Sequence, residues 1–374
     1  MGVQLTEREK IGQLFMVGFL GTSVTSDLAA FLDHYRPGGV ILFSRNLESL
    51  EQIVELTNQL QRCSPHSPLL IAIDQEGGRV SRLPKGFTIF PPCEVLGRCN
   101  SGALAYAAAA TIAKELRAVG INMNMAPVLD VNSNPDNPVI GDRAFGSTPE
   151  LVSQLALATI DGLQDQKVAA CGKHFPGHGD THADSHKELP IVSVSRERLE
   201  SVELPPFRRA AAAGVVSMMT AHVLYQALDA RFPATLSPAI VTGVLRNEFR
   251  YDGVVLTDDL EMQAIADHYG VGDAAVRALS AGCDVVLICK DREREIAAFD
   301  AVEKAVESGA ISRDRLEQSV ARIQRLKQRM VVPYRPVTVS EARLTAGCRS
   351  HLALLDSIRQ AAGRLEKNVA VKAV

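Results

Sequence analysis

Short apolar runs alternate along the chain with longer segments in which apolar residues recur every three or four positions. The runs fall at 15–19, 40–43, 69–74, 122–131, 168–174, 215–223, 253–259 and 284–289. Each reads as a strand, being rich in Val, Ile and Leu and bounded by glycine, proline or charge. Between them, 47–62, 103–119, 150–164, 196–213, 238–249 and 274–281 carry helical spacing. Strands alternating with helices predict βαβ units and a parallel sheet. The near-continuous apolar character of the runs fits strands covered on both faces. Eight such units predict an α/β fold closed as a (β/α)8 TIM-type barrel rather than an open doubly wound sheet.

The pattern changes after about Lys327. Residues 330–336 read as a connector and 341–365 as a further helical stretch. That stretch is too short for an independent core, so it is expected to pack on the outside of the barrel. The predicted organisation is a catalytic barrel over 1–332 and a C-terminal helical extension over 333–374.

Composition narrows the class. Of the 374 residues 46% are hydrophobic, enough for a sizeable core, and disorder is excluded. Forty basic residues against 43 acidic ones give a net charge of -3, which argues against a general nucleic-acid binder. The stretch from Leu5 to Phe15 has neither the apolar run nor the cleavage site of a secretory leader, and no segment reaches the roughly 20 apolar residues of a membrane span. The seven cysteines are odd in number and form no CxxC pair. Cys171, Cys283 and Cys289 sit in apolar runs, where a small buried hydrophobe is expected. These features predict a cytoplasmic protein with no membrane partner.

Six of the eight runs end in ionisable or amide side chains: Ser44-Arg45-Asn46, Asp74-Gln75-Glu76, Asp130-Val131-Asn132, Lys173-His174, His222 and Asp258-Asp259. In a barrel these ends share one rim, the rim where active sites of this architecture lie. The segment from Lys173 to His186 carries four of the nine histidines at a spacing of four. On a helix that spacing would suggest a metal cluster. Pro176, Gly177 and Gly179 forbid the helix, so a catalytic loop without metal is expected. Within it, Asp184 can hold the His186 imidazole in one tautomer, which makes a positioned acid/base.

Asp258 and Asp259 end a buried strand, where alternation lets only one side chain face the barrel axis. The inward one suits a nucleophile or base, and a helix N-cap accounts for the other. Asp74 suits a bidentate grip on neighbouring hydroxyls of a ligand, and Arg82 either binds an oxygen-rich substituent or pairs with Asp74. Arg143 is a ligand contact or a loop-tethering ion pair. His182 either modulates His186 or faces water. No dinucleotide fingerprint, Walker pattern or Gly-x-Ser-x-Gly elbow occurs.

Together these segments resemble family 3 glycoside hydrolases, and more narrowly the bacterial β-N-acetylhexosaminidases of cell-wall recycling. The resemblance runs from about Leu5 to Arg329. Its most specific element is Lys173-His174-Phe175-Pro176-Gly177-His178-Gly179-Asp180 followed by Asp184-Ser185-His186. It implies that Asp258 is the nucleophile, His186 the acid/base and Asp184 its partner. It further implies that Asp74, Arg82, Arg143, Lys173 and His174 hold N-acetylglucosamine. Relatives with a second domain often draw an acid/base Glu from it. This chain is too short to contain that domain, so the acid is expected from the barrel itself.

The implied reaction is retaining removal of terminal β-linked N-acetylglucosamine from peptidoglycan-derived muropeptides, without cofactor or metal. A monomer or weak homo-oligomer is expected. Two other readings remain open: a phosphorylase using the same site, and a non-catalytic sugar-binding barrel.

Overall fold

The computed structural model describes residues 5–372 other than Ala183, His186 and Lys187, with side chains up to Arg364. Its centre is a closed barrel of eight parallel strands, numbered here in chain order. They are β1 (Phe15–Val17), β2 (Gly39–Leu42), β3 (Leu70–Ile73), β4 (Met123–Asn124), β5 (Ala169–Phe175), β6 (Ser217–Thr220), β7 (Val254–Asp259) and β8 (Val285–Ile288). Each strand pairs with its neighbours in sequence order, and β8 returns to β1 with Phe15 opposite Val286. Closure leaves the barrel itself without a sheet edge. At the seam, a Cβ on Gly18 would lie 1.8 Å from the carbonyl oxygen of Cys289, so only glycine lets the two backbones approach.

All eight predicted strands are present; β2 and β5 match their apolar runs in length, shifted by one residue, and the other six are shorter. The largest difference is β4. Pro127 cannot donate to a ladder, and the pairing seen at Met123–Asn124 resumes only as a single bridge from Val128 to Lys173. The run 122–131 is therefore two residues of strand followed by a buried loop that carries Asp130 to the rim.

Helices form the outer layer and start where the sequence supplies caps. Thr6 and Glu9 make a capping box on Glu7–Gln13, and Ser49 caps Leu50–Arg62. Predicted helices at 103–119 and 150–164 appear as Gly102–Ala118 and Pro149–Asp165. The stretch 196–213 is broken into Arg196–Arg198, a π-helical Leu199–Glu203 and Leu204–Ala212. Two strongly charged helices that the apolar pattern does not single out, Arg292–Glu307 and Arg313–Met330, complete the ring.

The C-terminal residues form Val339–Thr345 and Arg349–Lys372. Ala342, Leu355 and Ile358 join the main core, and the last helix packs on Cys93–Cys99. Glu115, buried on Gly102–Ala118, accepts bonds from Gly347 N at 2.9 Å and His351 Nδ1 at 2.8 Å. Among the described residues no helix is long and apolar enough to cross a membrane.

Candidate active site

A cleft of about 510 Å³ opens at the C-terminal ends of the strands. Asp74, Arg82, Arg143, Lys173, His174, Asp184 and Asp258 all line it, so seven of the eight residues singled out from sequence share one space. His186 lies outside the described residues. The strand ends explain the convergence: Asp74 follows β3, Lys173 and His174 are in β5, and Asp258 is in β7. Two adjacent β5 residues reach the cleft where the register against β6 shifts between Gly172 and Phe175.

One wall is a buried charge cluster. Lys173 Nζ lies 2.7 Å from Asp74 Oδ1 and 2.7 Å from Glu76 Oε1. Arg143 meets Glu76 in a bidentate pair, Nε to Oε2 at 2.9 Å and Nη2 to Oε1 at 2.8 Å. Burial opposes charge on Glu76, but the adjacent Lys173 and Arg143 outweigh it and hold the carboxyl well below its usual range. Burial likewise works against the Lys173 ammonium, and Asp74 with Glu76 keeps its pKa above the ordinary lysine value. Arg143 is thus a tethering ion pair that also faces the cleft. Arg82 does not take the pairing with Asp74, which belongs to Lys173; its buried Nε has no protein partner.

The opposite wall is the loop after β5. Asp130 Oδ2 binds His174 Nδ1 at 2.7 Å, while Asp130 Oδ1 accepts the backbone N–H groups of His174 and His178. One buried carboxylate therefore orients the His174 ring and anchors the start of the loop. A Cβ on Gly179 would sit 1.6 Å from Val131 O, so the loop backbone lies directly on the β4 loop. Of the four histidines, His174 and His178 are buried and His182 is exposed, with Nδ1 3.2 Å from Asn134 Nδ2. No cluster able to hold a metal ion occurs among the described residues.

The two carboxylates at the end of β7 depart from simple alternation. Both line the cleft, because the register against β8 shifts between Val285 and Leu287. Asp259 is not a helix N-cap: its Oδ1 accepts from Glu261 N at 3.0 Å, and the next helix begins at Gln263 after an N-cap Met262. Burial, reinforced by Glu261 and Asp258, pushes the Asp259 carboxyl up to about 7. Asp258 Oδ1 accepts from Asp259 N at 2.8 Å. His222 is a support for this strand end, with Nε2 2.9 Å from the carbonyl oxygen of Asp259.

Sequence reasoning did not assign Glu76 and Asp130 to the site. Both were visible as strand-end polar residues, but each works through another side chain, a role that residue type alone does not reveal.

A closed parallel barrel with paired carboxylates and hydrogen-bonding side chains around one rim cleft has the form of a sugar-processing enzyme. The model of the glycosyl hydrolase family 3 N terminal domain matches residues 6–326. A beta-hexosaminidase of Alkalilimnicola ehrlichii is 46% identical over 284 residues, covering 74% of this chain and 81% of that protein. A beta-hexosaminidase A of Pseudoalteromonas piscicida is 36% identical and covers 98% of this chain and 68% of its own. Among solved structures, a family 3 beta-N-acetylglucosaminidase of a Paenibacillus species superposes with a TM-score of 0.90 at 46% identity, covering 96% of this chain and 69% of that one. The chain belongs to glycosyl hydrolase family 3, and it is a glycoside hydrolase.

Proposed function

We propose that the protein is a retaining exo-β-N-acetylglucosaminidase that works by double displacement on peptidoglycan-derived muropeptides in the cytoplasm. The observation that carries this reading is the meeting of Asp258 with Asp184 in one cleft, beside Asp74, Arg82, Lys173 and His174. The N-acetylglucosaminidase and hexosaminidase relatives support the sugar.

In this reading the Asp258 carboxylate attacks the anomeric carbon. His186, held by Asp184, gives a proton to the leaving oxygen. The glycosyl–Asp258 ester is then opened by water, from which His186 takes the proton, and configuration is retained. Lys173 gives two of its three ammonium hydrogens to Asp74 and Glu76, and the third donates to a sugar oxygen. Asp74 accepts from hydroxyls, and the unpartnered Arg82 Nε donates to the acetamido oxygen or to a hydroxyl.

The test is turnover of an aryl β-N-acetylglucosaminide, with the aryl β-glucoside as control. Asp258→Ala is expected to lose at least about 10³-fold in kcat/KM while keeping its circular dichroism. Trapping with a 2-fluoro sugar should label Asp258 in the parent. Turnover of Asp258→Ala near the parent rate would remove the nucleophile assignment, and a preference for the glucoside would remove the sugar assignment. Assays on muropeptide fragments with and without phosphate address the aglycone. A sugar 1-phosphate product would replace hydrolysis by phosphorolysis.

A further inference from the structure

Ser185 follows Asp184 in the loop, and it is fully buried although Asp184 is half-exposed. Its hydroxyl lies 3.1 Å from His178 Nε2, and its carbonyl oxygen is 3.4 Å from Ala264 N, in the first turn of the helix that follows β7. His178 itself is 1% exposed. Its other ring nitrogen, Nδ1, is 2.8 Å from Thr181 Oγ1.

Thr181 in turn is held by Asn137 Nδ2 at 3.1 Å. The Asn137 amide is locked, because its Oδ1 accepts from Val139 N and Ile140 N, both at 2.8 Å, while Nδ2 also donates to the His178 and Gly179 carbonyls. A continuous chain therefore runs from Asn137 through Thr181 and His178 to Ser185, and through the Ser185 backbone to the helix Gln263–Tyr269 that follows the strand carrying Asp258.

We infer that His178 is a positioning residue that, through the Ser185 hydroxyl, sets where the Asp184 stretch of the loop stands relative to Asp258. The inference rests on the acid/base reading of Asp184 and His186 given above. Whichever ring nitrogen carries the hydrogen, an uncharged imidazole donates once and accepts once, so the Thr181 and Ser185 hydroxyls are bound in opposite senses. Burial, with the neighbouring His174, pushes the His178 pKa down to about 4, so the ring stays uncharged at neutral pH. A protonated ring would present two donors, and one hydroxyl would have to turn. Asn, Thr and Ser contacts of this kind give little net stability on an open surface. In a buried network each lost partner leaves an unsatisfied group, so the register of the loop is strongly specified.

A residue that acts by placing the acid matters most when the leaving group needs a proton. The experiment compares kcat/KM for an alkyl β-N-acetylglucosaminide with that for the 2,4-dinitrophenyl glycoside, whose departure needs no acid. Ser185→Ala and His178→Leu are expected to lose about tenfold or more on the alkyl glycoside and less than about threefold on the dinitrophenyl one. The double variant should be no worse than His178→Leu, since both changes cut one chain.

Ser185→Thr, which keeps the hydroxyl, and His178→Gln, which keeps one donor and one acceptor at similar reach, should restore most of the loss. They also serve if a parent variant fails to fold. Equal losses on both substrates, no loss, or additive losses in the double variant would overturn the inference. Asp184→Asn run in parallel separates the two levels. If it shows the leaving-group dependence and Ser185→Ala does not, the positioning role falls and the acid reading stands. If neither shows it, both fall.

Discussion

Lys173 and Arg143 are neighbouring cations whose charges oppose one another, and Glu76 between them is what lets both remain buried at the cleft wall. Glu76→Gln keeps the shape and removes the charge, leaving two buried cations facing a neutral amide. Breaking a buried pair from one side costs about 3–5 kcal/mol, and part of the hydrogen bonding survives in the amide, so a loss of about 3 kcal/mol is expected in urea unfolding at pH 7. The sign of its pH dependence follows from the depressed carboxyl. The charge stabilises the folded state above the unfolded value of 4.5, and that contribution fades as pH falls below it. The gap between parent and variant should therefore shrink below pH 4.5, and a gap independent of pH would exclude the charge as its cause. The KM for the aryl glycoside should also rise several-fold, since Lys173 loses one of its two tethers. Asp74, Lys173, His174 and Asp258 were legible in the sequence because strand ends in a barrel share a rim. Glu76 was visible as a strand-end carboxylate, but its bridging of Lys173 and Arg143 was not, because its partners become neighbours only when β3, β5 and the loop at Arg143 come together.

Between residue and fold, the elements show what an apolar pattern can and cannot specify. It marks buried strands well, because both faces of a barrel strand are covered. It marks their ends poorly. Run 122–131 contains Pro127, and the chain leaves the ladder there while staying buried. The Arg292–Glu307 and Arg313–Met330 helices carry charge on most turns, and their narrow apolar faces give a weak helical signal in the sequence. The extension over 333–374, with its helical stretch at 341–365, is predicted to pack outside the barrel, and one buried carboxylate gathers bonds from both sides of that contact. Glu115 accepts Thr88 N and Thr88 Oγ1 from the loop after β3, and Gly347 N and His351 Nδ1 from the extension. Glu115→Ala strands those donors at about 1–3 kcal/mol each, so the segment 339–364 should open before the barrel unfolds. Limited proteolysis should cleave within 333–350 in the variant and spare the parent. Equal resistance of both would show that the apolar contacts of Leu355 and Ile358 suffice.

At the scale of the whole molecule, barrel closure brings the first helix, Glu7–Gln13, against Arg313–Met330. Lys327 sits in that junction, 3% exposed, with Nζ 2.7 Å from Gln13 Oε1 and 3.1 Å from Ser67 Oγ. Both partners are neutral, so no opposing charge offsets the loss of hydration, and burial pushes the Lys327 pKa down from 10.5 to about 7. Above pH 10.5 the amine is neutral in both folded and unfolded chains and carries no penalty. As pH falls from there toward 7, the unfolded chain takes up a proton that the folded protein refuses, and stability drops until the folded group titrates as well. At about 1.4 kcal/mol per unit, the accumulated loss is on the order of 4 kcal/mol. Lys327→Met keeps the length of the side chain and removes the titration, while Ser67 Oγ still donates to Gln13 Oε1 at 3.1 Å. The variant is therefore expected to be more stable than the parent at pH 7, with the difference narrowing to about 1 kcal/mol or less by pH 10. Urea midpoints for both proteins at pH 7, 8, 9 and 10 give the difference directly, cancelling the cysteines and tyrosines that titrate in the same window. Parallel curves would mean that water reaches the ammonium at the base of the barrel and that the junction is open rather than sealed.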